Sequence, residues 1–266
     1  VNIAVFTPTM RPGGLDVLEG TLARQTVRPQ MWIVCDERNR SQVLGDISDR
    51  VDVPLVEMIP PEKQTGNMRN LAAAYNEAAE IALEWGMDVF VSLQDYIWAP
   101  PDGLERFAHV HSNVEQKALV TGLTSIAAEP SVVHDLEGDY TIFAEPYFDK
   151  PTDIEWWDVR EDQIYHRPDS GNPVGRVMPD HWEANWASID MRLIDEGIRW
   201  DESYDKGVAY ENMDFARRAD AYGAYVLMDM DNHAISLPHK DYFEGEREAI
   251  ERYSNRAYYE SKWLAK

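Results

Sequence analysis

Met87-Asp-Val-Phe-Val-Ser-Leu-Gln-Asp95-Tyr-Ile-Trp-Ala-Pro-Pro-Asp102 decides how the rest of this 266-residue chain is read. Val89, Phe90, Val91 and Leu93 form a short apolar run, the pattern of a strand buried on both faces. The run stops at Asp95; two prolines and a glycine follow, and helix-like spacing begins at Leu104. A carboxylate therefore stands where a buried strand surfaces. In an open α/β sheet that carboxyl edge is where ligands bind. A carboxylate there can hold a divalent cation, which in turn holds phosphates. An aspartate at a strand end also serves an ordinary turn through local hydrogen bonds, so the surrounding chain has to decide between the two.

Working outward, Asn2 to Phe6 reads as a first strand, ended by Thr7-Pro8-Thr9 and a loop at Arg11-Pro12-Gly13-Gly14. Leu15, Leu18, Leu22 and Ala23 have helical spacing, so a helix runs to about Gln25. Met31 to Cys35 is a second strand that ends at Asp36-Glu37. A short helix from Ser41 to Ile47 and a third strand from Pro54 to Met58 follow. Gly66 opens a long helix to about Trp85, with Leu71, Ala74, Tyr75, Ala78, Ile81, Ala82 and Trp85 on its buried face. Beyond the opening strand, Lys117 to Val120 reads as a strand and Trp182 to Glu196 as a helix. Glu211 to Tyr222 is a further helix and Tyr225 to Met230 a further strand. Strand alternating with helix predicts an α/β fold, a largely parallel sheet with helices on both faces.

The region from Glu129 to Asp180 is different. Between Glu129 and Asp162 acidic residues far outnumber Lys150 and Arg160, and Tyr140, Phe143, Tyr147, Phe148, Trp156 and Trp157 are interleaved. It reads as an elaboration packed on the sheet, its aromatic residues either a small core or a surface for carbohydrate. The tail from Glu244 to Leu264 is amphipathic. With no repeat, low-complexity tract or linker, one compact domain over 1–266 is expected.

Composition narrows the function. Hydrophobic residues make up 44% of the chain, enough for a sizeable core. No apolar run approaches the roughly 20 residues that span a bilayer, and no basic-then-apolar leader opens the sequence, so the expectation is a soluble, cytoplasmic protein. The net charge of -23 weighs against bulk nucleic-acid binding, which needs Lys and Arg against phosphate. The single cysteine, Cys35, excludes an internal disulfide and a cysteine-based zinc site. Neither a P-loop nor a G-x-G-x-x-G follows the first strand. If phosphates bind at this edge, a metal must do the work that a glycine loop does elsewhere.

The order of these pieces resembles the family 2 glycosyltransferases and their relatives with the GT-A fold. Ala4-Val-Phe-Thr-Pro-Thr9 with Arg11-Pro12 is similar to the family's opening strand and Pro-Thr loop. Trp32-Ile-Val-Cys-Asp36-Glu37 is similar to the strand that ends in a base- and ribose-binding acid, and Gly66-Asn-Met-Arg69-Asn70 to an arginine-asparagine helix start. Val89 to Asp102 resembles the strand with the metal motif, and Tyr210-Glu211-Asn212-Met213-Asp214-Phe215 the catalytic acidic motif. The resemblance covers residues 2–128 and 181–240.

It implies a nucleotide-binding half at 1–128, an acceptor and catalytic half at 129–240 and a helical tail at 241–266. It also implies a metal-dependent transfer of a sugar from a nucleotide diphosphate sugar, UDP-linked by preference, to a hydroxyl acceptor. Thr7, Pro8, Thr9, Asp36, Arg69 and Gln94 would bind the donor. Asp95 would hold Mn²⁺ or Mg²⁺, with His239 as a further ligand and His233 as its competitor. Glu211 or Asp214 would be the base. Two departures stand out: Gln94 takes the place of a second acid in the metal motif, and Asn212 the place of the aspartate that usually acts as base. A sugar-phosphate nucleotidyltransferase and a non-catalytic sugar-binding relative are the alternative readings.

Overall fold

A computed structural model of the protein describes residues 1–10, 13–61, 70–127, 154–155, 173–207, 209–236 and 254–264. The strands are β1 (Ile3–Thr9), β2 (Met31–Asp36), β3 (Leu55–Met58), β4 (Val89–Leu93), β5 (Ile97–Trp98), β6 (Ala118–Ala127), β7 (Ile154–Glu155), β8 (Val174–Arg176), β9 (Trp186–Asp190) and β10 (Tyr225–Ser236). The helices are α1 (Leu15–Ala23), α2 (Ser41–Val51), α3 (Leu71–Glu84), α4 (Gly103–Asn113), α5 (Met191–Asp195), α6 (Glu211–Ala221) and α7 (Arg256–Trp263).

The strands form one sheet in the order β3-β2-β1-β4-β9-β6-β10-β5, with β7 beside β6 and β8 beside β10. The ladders β1–β2, β1–β4, β2–β3 and β6–β10 are parallel. β9 runs antiparallel to both β4 and β6, so β4 and β6 again share a direction. The expected mostly parallel sheet flanked by helices is what forms, with its reversed strands at β9 and at the short flanking pieces β5, β7 and β8.

Alternation along the strands divides the core in two. Ala4, Phe6, Ile33, Phe90 and Ile189 pack on one face with α3, α5 and α6. Ile3, Val5, Trp32, Val34, Val89 and Val91 pack on the other with α1, α2 and α4. Five of the six alanines of α3 (Ala72, Ala74, Ala78, Ala79 and Ala82) are buried and let that helix lie close to the sheet.

Three local expectations need correction. Trp85, expected on the buried face of α3, is exposed just past the end of that helix. The segment from Trp182 to Glu196 is not one helix: it contains the central strand β9, followed by the short α5. Trp182, Trp186, Ile189 and Leu193 mimic helical spacing, but every residue of β9 is buried because the sheet is covered on both faces. A segment that short, with its polar Ser188 and Asp190 buried like the rest, does not distinguish a buried strand from a buried helix by pattern. Thr7-Pro8-Thr9 does not end β1 but belongs to it, with Pro8 opposite Cys35 and Thr9 opposite Asp36. The β1–β4 ladder stops at Phe6 opposite Ser92. The Thr9 carbonyl faces β2, where it accepts from the Glu37 N–H, so alternation turns Pro8 to the β4 side. Its missing N–H therefore falls where the ladder has already ended.

Candidate active site

The carboxyl ends of β1, β2 and β4 open into a small cleft of about 40 Å³, lined among others by Pro8, Thr9, Glu37, Asn70, Leu71 and Gln94. This is the edge at which an open α/β sheet binds its ligand. Of the donor-binding residues expected from sequence, Pro8, Thr9 and Gln94 face this cleft. Thr7 is fully buried, and its hydroxyl accepts from the Trp32 indole N–H at 3.0 Å. Arg69 and His239 lie outside the described residues.

Asp36 is buried, and its carboxylate is occupied from within the chain. Oδ1 accepts from the Arg38 N–H at 3.0 Å and from a terminal guanidinium nitrogen of Arg40 at 2.9 Å. Oδ2 accepts from the Arg40 N–H at 2.7 Å and from Arg40 Nε at 3.1 Å. Those bonds use the roughly four lone-pair positions a carboxylate offers. Burial would push the group up, but the Arg40 hydrogen bonds and charge prevail and hold it below the usual carboxylate range. The acid that faces the cleft after β2 is the next residue, Glu37. Sequence alone presents the two as a pair; which one turns outward depends on Arg40, four residues on.

Arg40 also joins Asp36 to the metal-motif strand. Its guanidinium donates to Thr9 Oγ1 at 3.0 Å, and Thr9 Oγ1 donates to Asp95 Oδ2 at 2.7 Å. Asp95 is fully enclosed, whereas its neighbour Gln94 lines the cleft and donates to the Tyr75 hydroxyl at 3.3 Å. Tyr75 shares a 2.6 Å hydrogen bond with Ser92 on β4. Burial, with the charge of Glu211 nearby, pushes the Tyr75 phenol well above its usual value. Cys35 also lines the cleft; burial, with Glu37 beside it, pushes its thiol up to about 12, so it is no thiolate nucleophile.

The two acids of α6 differ sharply. Glu211 is half-buried at the start of the helix, and its Oε1 accepts from the Asn212 amide at 3.2 Å. Asn212 is itself fixed: its Oδ1 accepts from the Trp200 indole N–H at 3.0 Å. Trp200 is stacked between Phe215 and Tyr75, with ring centroids 3.8 and 4.7 Å away. Asp214 is fully buried among Tyr204 Oη, Trp263 Nε1, Lys262 Nζ and Arg218 Nε, at 3.3, 2.8, 2.7 and 2.8 Å. Trp182 and Trp186 are both core residues.

The donors at the β4 end suit a hard cation as far as they go. Asp95 offers carboxylate oxygen and Gln94 an amide oxygen, the ligand types that Mg²⁺ and Mn²⁺ accept. Among the described residues no group of three His, Cys, Asp or Glu converges on one point. His233 lies in β10, opposite Leu123 of β6. Among the described residues no helix is long and apolar enough to cross a membrane.

No protein-family profile and no curated protein sequence matches the chain. Solved structures do. A mannosyltransferase, PcManGT from Pyrobaculum calidifontis, in complex with GDP-Man and Mn²⁺, superposes with a TM-score of 0.56 at 12% identity, over 91% of this chain and 58% of that one. GalNAc-T7 with UDP, GalNAc and Mn²⁺ superposes with a TM-score of 0.62 at 11% identity, over 98% of this chain and 50% of that one. The chain thus spans 58% of the length of the first and half that of the second. At such identities the likeness is one of architecture: this chain has the GT-A fold of those nucleotide-sugar glycosyltransferases.

Proposed function

We propose that the protein is a metal-dependent glycosyltransferase that moves a hexosyl or N-acetylhexosaminyl group from a nucleotide diphosphate sugar to a hydroxyl acceptor. The observation that carries this reading is the convergence, at one sheet edge of a GT-A fold, of a cleft bearing Glu37, Thr9 and Gln94 with Asp95, which Thr9 holds, and with Glu211, whose neighbour Asn212 is linked to Tyr75 through Trp200. Glu37, rather than the saturated Asp36, would accept from the base or ribose. Arg69, just ahead of α3, would meet the base or the diphosphate. Asp95, with the Gln94 amide oxygen and His239, would hold Mn²⁺ or Mg²⁺. The cation would neutralise the leaving diphosphate, as a hard Lewis acid does.

Glu211 is the base in this reading. It stands at the α6 N-terminus, beside Asn212, which Trp200 links to Tyr75, and would take the acceptor hydroxyl's proton during attack on the anomeric carbon. Asp214 has its carboxylate surrounded by donors inside the fold and serves as an anchor for α6. UDP sugars are the first donors to test; the two similar structures hold GDP-Man in one case and UDP in the other.

A thermal-shift screen of UDP, GDP and their sugars, with and without Mn²⁺, tests the donor site, because a ligand of the folded state raises its apparent stability. Release of nucleoside diphosphate from the sugar nucleotide that binds then tests turnover. Binding that needs Mn²⁺ and is lost in Asp95→Asn supports the reading. Cation-independent binding that Asp95→Asn leaves unchanged, with no turnover, would instead establish a non-catalytic sugar-nucleotide binder. Gln94 and Asn212, standing where acids are expected, are the observation in favour of that second reading.

A further inference from the structure

The turn that delivers Glu211 is held in a conformation its residues do not choose for themselves. Ala209 and Tyr210, immediately before α6, both have positive φ, 65° and 71°. L-residues reach that region at a cost, and two in succession persist only when the surroundings impose them. Tyr210 gives α6 no side-chain cap, so the helix start is not fixed by the usual local device.

What imposes the turn comes from the other end of the described chain. Asn255, buried and just ahead of α7, donates one amide hydrogen bond to the Tyr204 carbonyl at 2.7 Å and another to the Ala209 carbonyl at 3.0 Å. It thereby ties together the two ends of the segment that leads into Glu211. α7 continues the grip. The Tyr259 ring lies 5.1 Å from that of Tyr210, and the Tyr259 hydroxyl shares Asp180 with Arg217 of α6. Lys262 and Trp263 reach Asp214, one turn into α6 from Glu211. Lys262 and Tyr258 also hold Asp201, at 2.9 Å each.

We infer that α7 is a clamp for the catalytic turn and that Asn255 is its positioning residue: it acts on Glu211 through the backbone of Ala209 and Tyr210 and touches no substrate. The inference rests on the reading of Glu211 as base. A glycine takes a positive φ without the steric cost of a Cβ, which gives a specific test. In Asn255→Ala, amides of residues 205–214 exchange hydrogen faster while those of β1 and β4 do not. Turnover falls by about tenfold or more with the donor KM within about twofold, since misplacement of a base lowers kcat. Adding Ala209→Gly to Asn255→Ala restores a good part of the lost turnover and slows the exchange again. In a Glu211→Gln background, Asn255→Ala has no further effect on turnover, because the two act through one group. Asn255→Ser, which keeps a hydroxyl donor, serves if Asn255→Ala does not fold.

Unchanged exchange over 205–214 would overturn the clamp. So would a loss of turnover that adds to that of Glu211→Gln and that Ala209→Gly does not relieve. Should the wild-type protein transfer no sugar, it is the function proposed above that fails. The exchange measurement, including its reversal by Ala209→Gly, still decides the clamp.

Discussion

Thr9 Oγ1 donates a 2.7 Å hydrogen bond to Asp95 Oδ2 across 86 positions of sequence, and both side chains are buried. The same Thr9 oxygen accepts from Arg40, which holds Asp36. One hydroxyl thus links the ends of β1, β2 and β4, the strands whose carboxyl ends open into the cleft. A threonine suits the position because its hydroxyl accepts from one side while donating to the other.

Replacing Thr9 by valine keeps the shape and removes that link. A buried carboxylate and a buried guanidinium each lose a partner, and leaving such groups unmatched costs about 1–3 kcal/mol, at the upper end where charge is involved. Denaturant unfolding of Thr9→Val checks this: the midpoint falls while the slope is unchanged. If Asp95 holds a cation, the variant also needs more Mn²⁺ for the same nucleotide-dependent thermal shift, because its carboxylate is no longer oriented.

Arg40 and Glu37 separate the structural from the ligand-facing role at the β2 end. Arg40→Met strips the buried Asp36 carboxylate of its guanidinium, and breaking one side of a buried ion pair costs roughly 3–5 kcal/mol. Glu37→Gln, at a half-buried position, costs less stability than Arg40→Met but weakens nucleotide binding. Unfolding curves and nucleotide titrations on the two variants should move in opposite patterns. Weakened binding in Arg40→Met alone would point back to Asp36 as the ligand's partner.

Glu211→Gln and Asp214→Asn make a second such pair. Loss of a general base costs about 10²–10⁴ in rate, so Glu211→Gln should lose turnover by at least a hundredfold and unfold like the wild type. Asp214→Asn removes the charge that Lys262, Arg218 and the Trp263 indole share in the interior. It should lower stability by roughly 3 kcal/mol, and any loss of rate should follow the loss of the folded state. A stable, inactive Asp214→Asn would reverse the two roles.

How far the sequence disclosed this arrangement follows from which forces act locally. β1, β2, β4, α3 and α6 were legible because each is an apolar run or stripe closed by turn residues, and the carboxyl edge followed from their order. β9 was not, because it is only five residues long and Trp182, Trp186, Ile189 and Leu193 around it mimic the spacing of a helix. The division of labour between Asp36 and Glu37 turns on a single guanidinium, a contact no hydrophobic pattern encodes. Asp214 looks like a second acid of a motif until Trp263 and Lys262 reach it from almost fifty residues away. Enclosure of Asp95 likewise depends on distant segments. Side-chain placement by tertiary contacts was the part that spacing could not supply.

His111 offers a pH test far from the cleft. It sits on α4, and its Nε2 pairs with Ser188 of β9 at 2.9 Å. Burial, helped by Arg192 and opposed by Asp190, pulls its pKa from 6.5 down to about 4. The folded state therefore prefers the neutral ring. Its contribution to stability is fully present above the unfolded value near pH 6.5 and is lost as pH falls toward 4, because the unfolded chain binds the extra proton first. The carboxylates act in a lower window. Burial pushes Asp36, Asp180 and Asp201 up, but hydrogen bonds led by Arg40, Arg217 and Lys262 prevail and hold all three below the usual range. Their contribution declines only as pH drops below the unfolded value of 3.8. Between pH 6.5 and 4.5, then, His111→Gln, which keeps a polar partner for Ser188, should flatten the decline in unfolding free energy seen in the wild type. Urea unfolding at pH 7, 5.5 and 4.5 measures it, and parallel curves for the two proteins would show that the ring's protonation is not what destabilises the fold in mild acid.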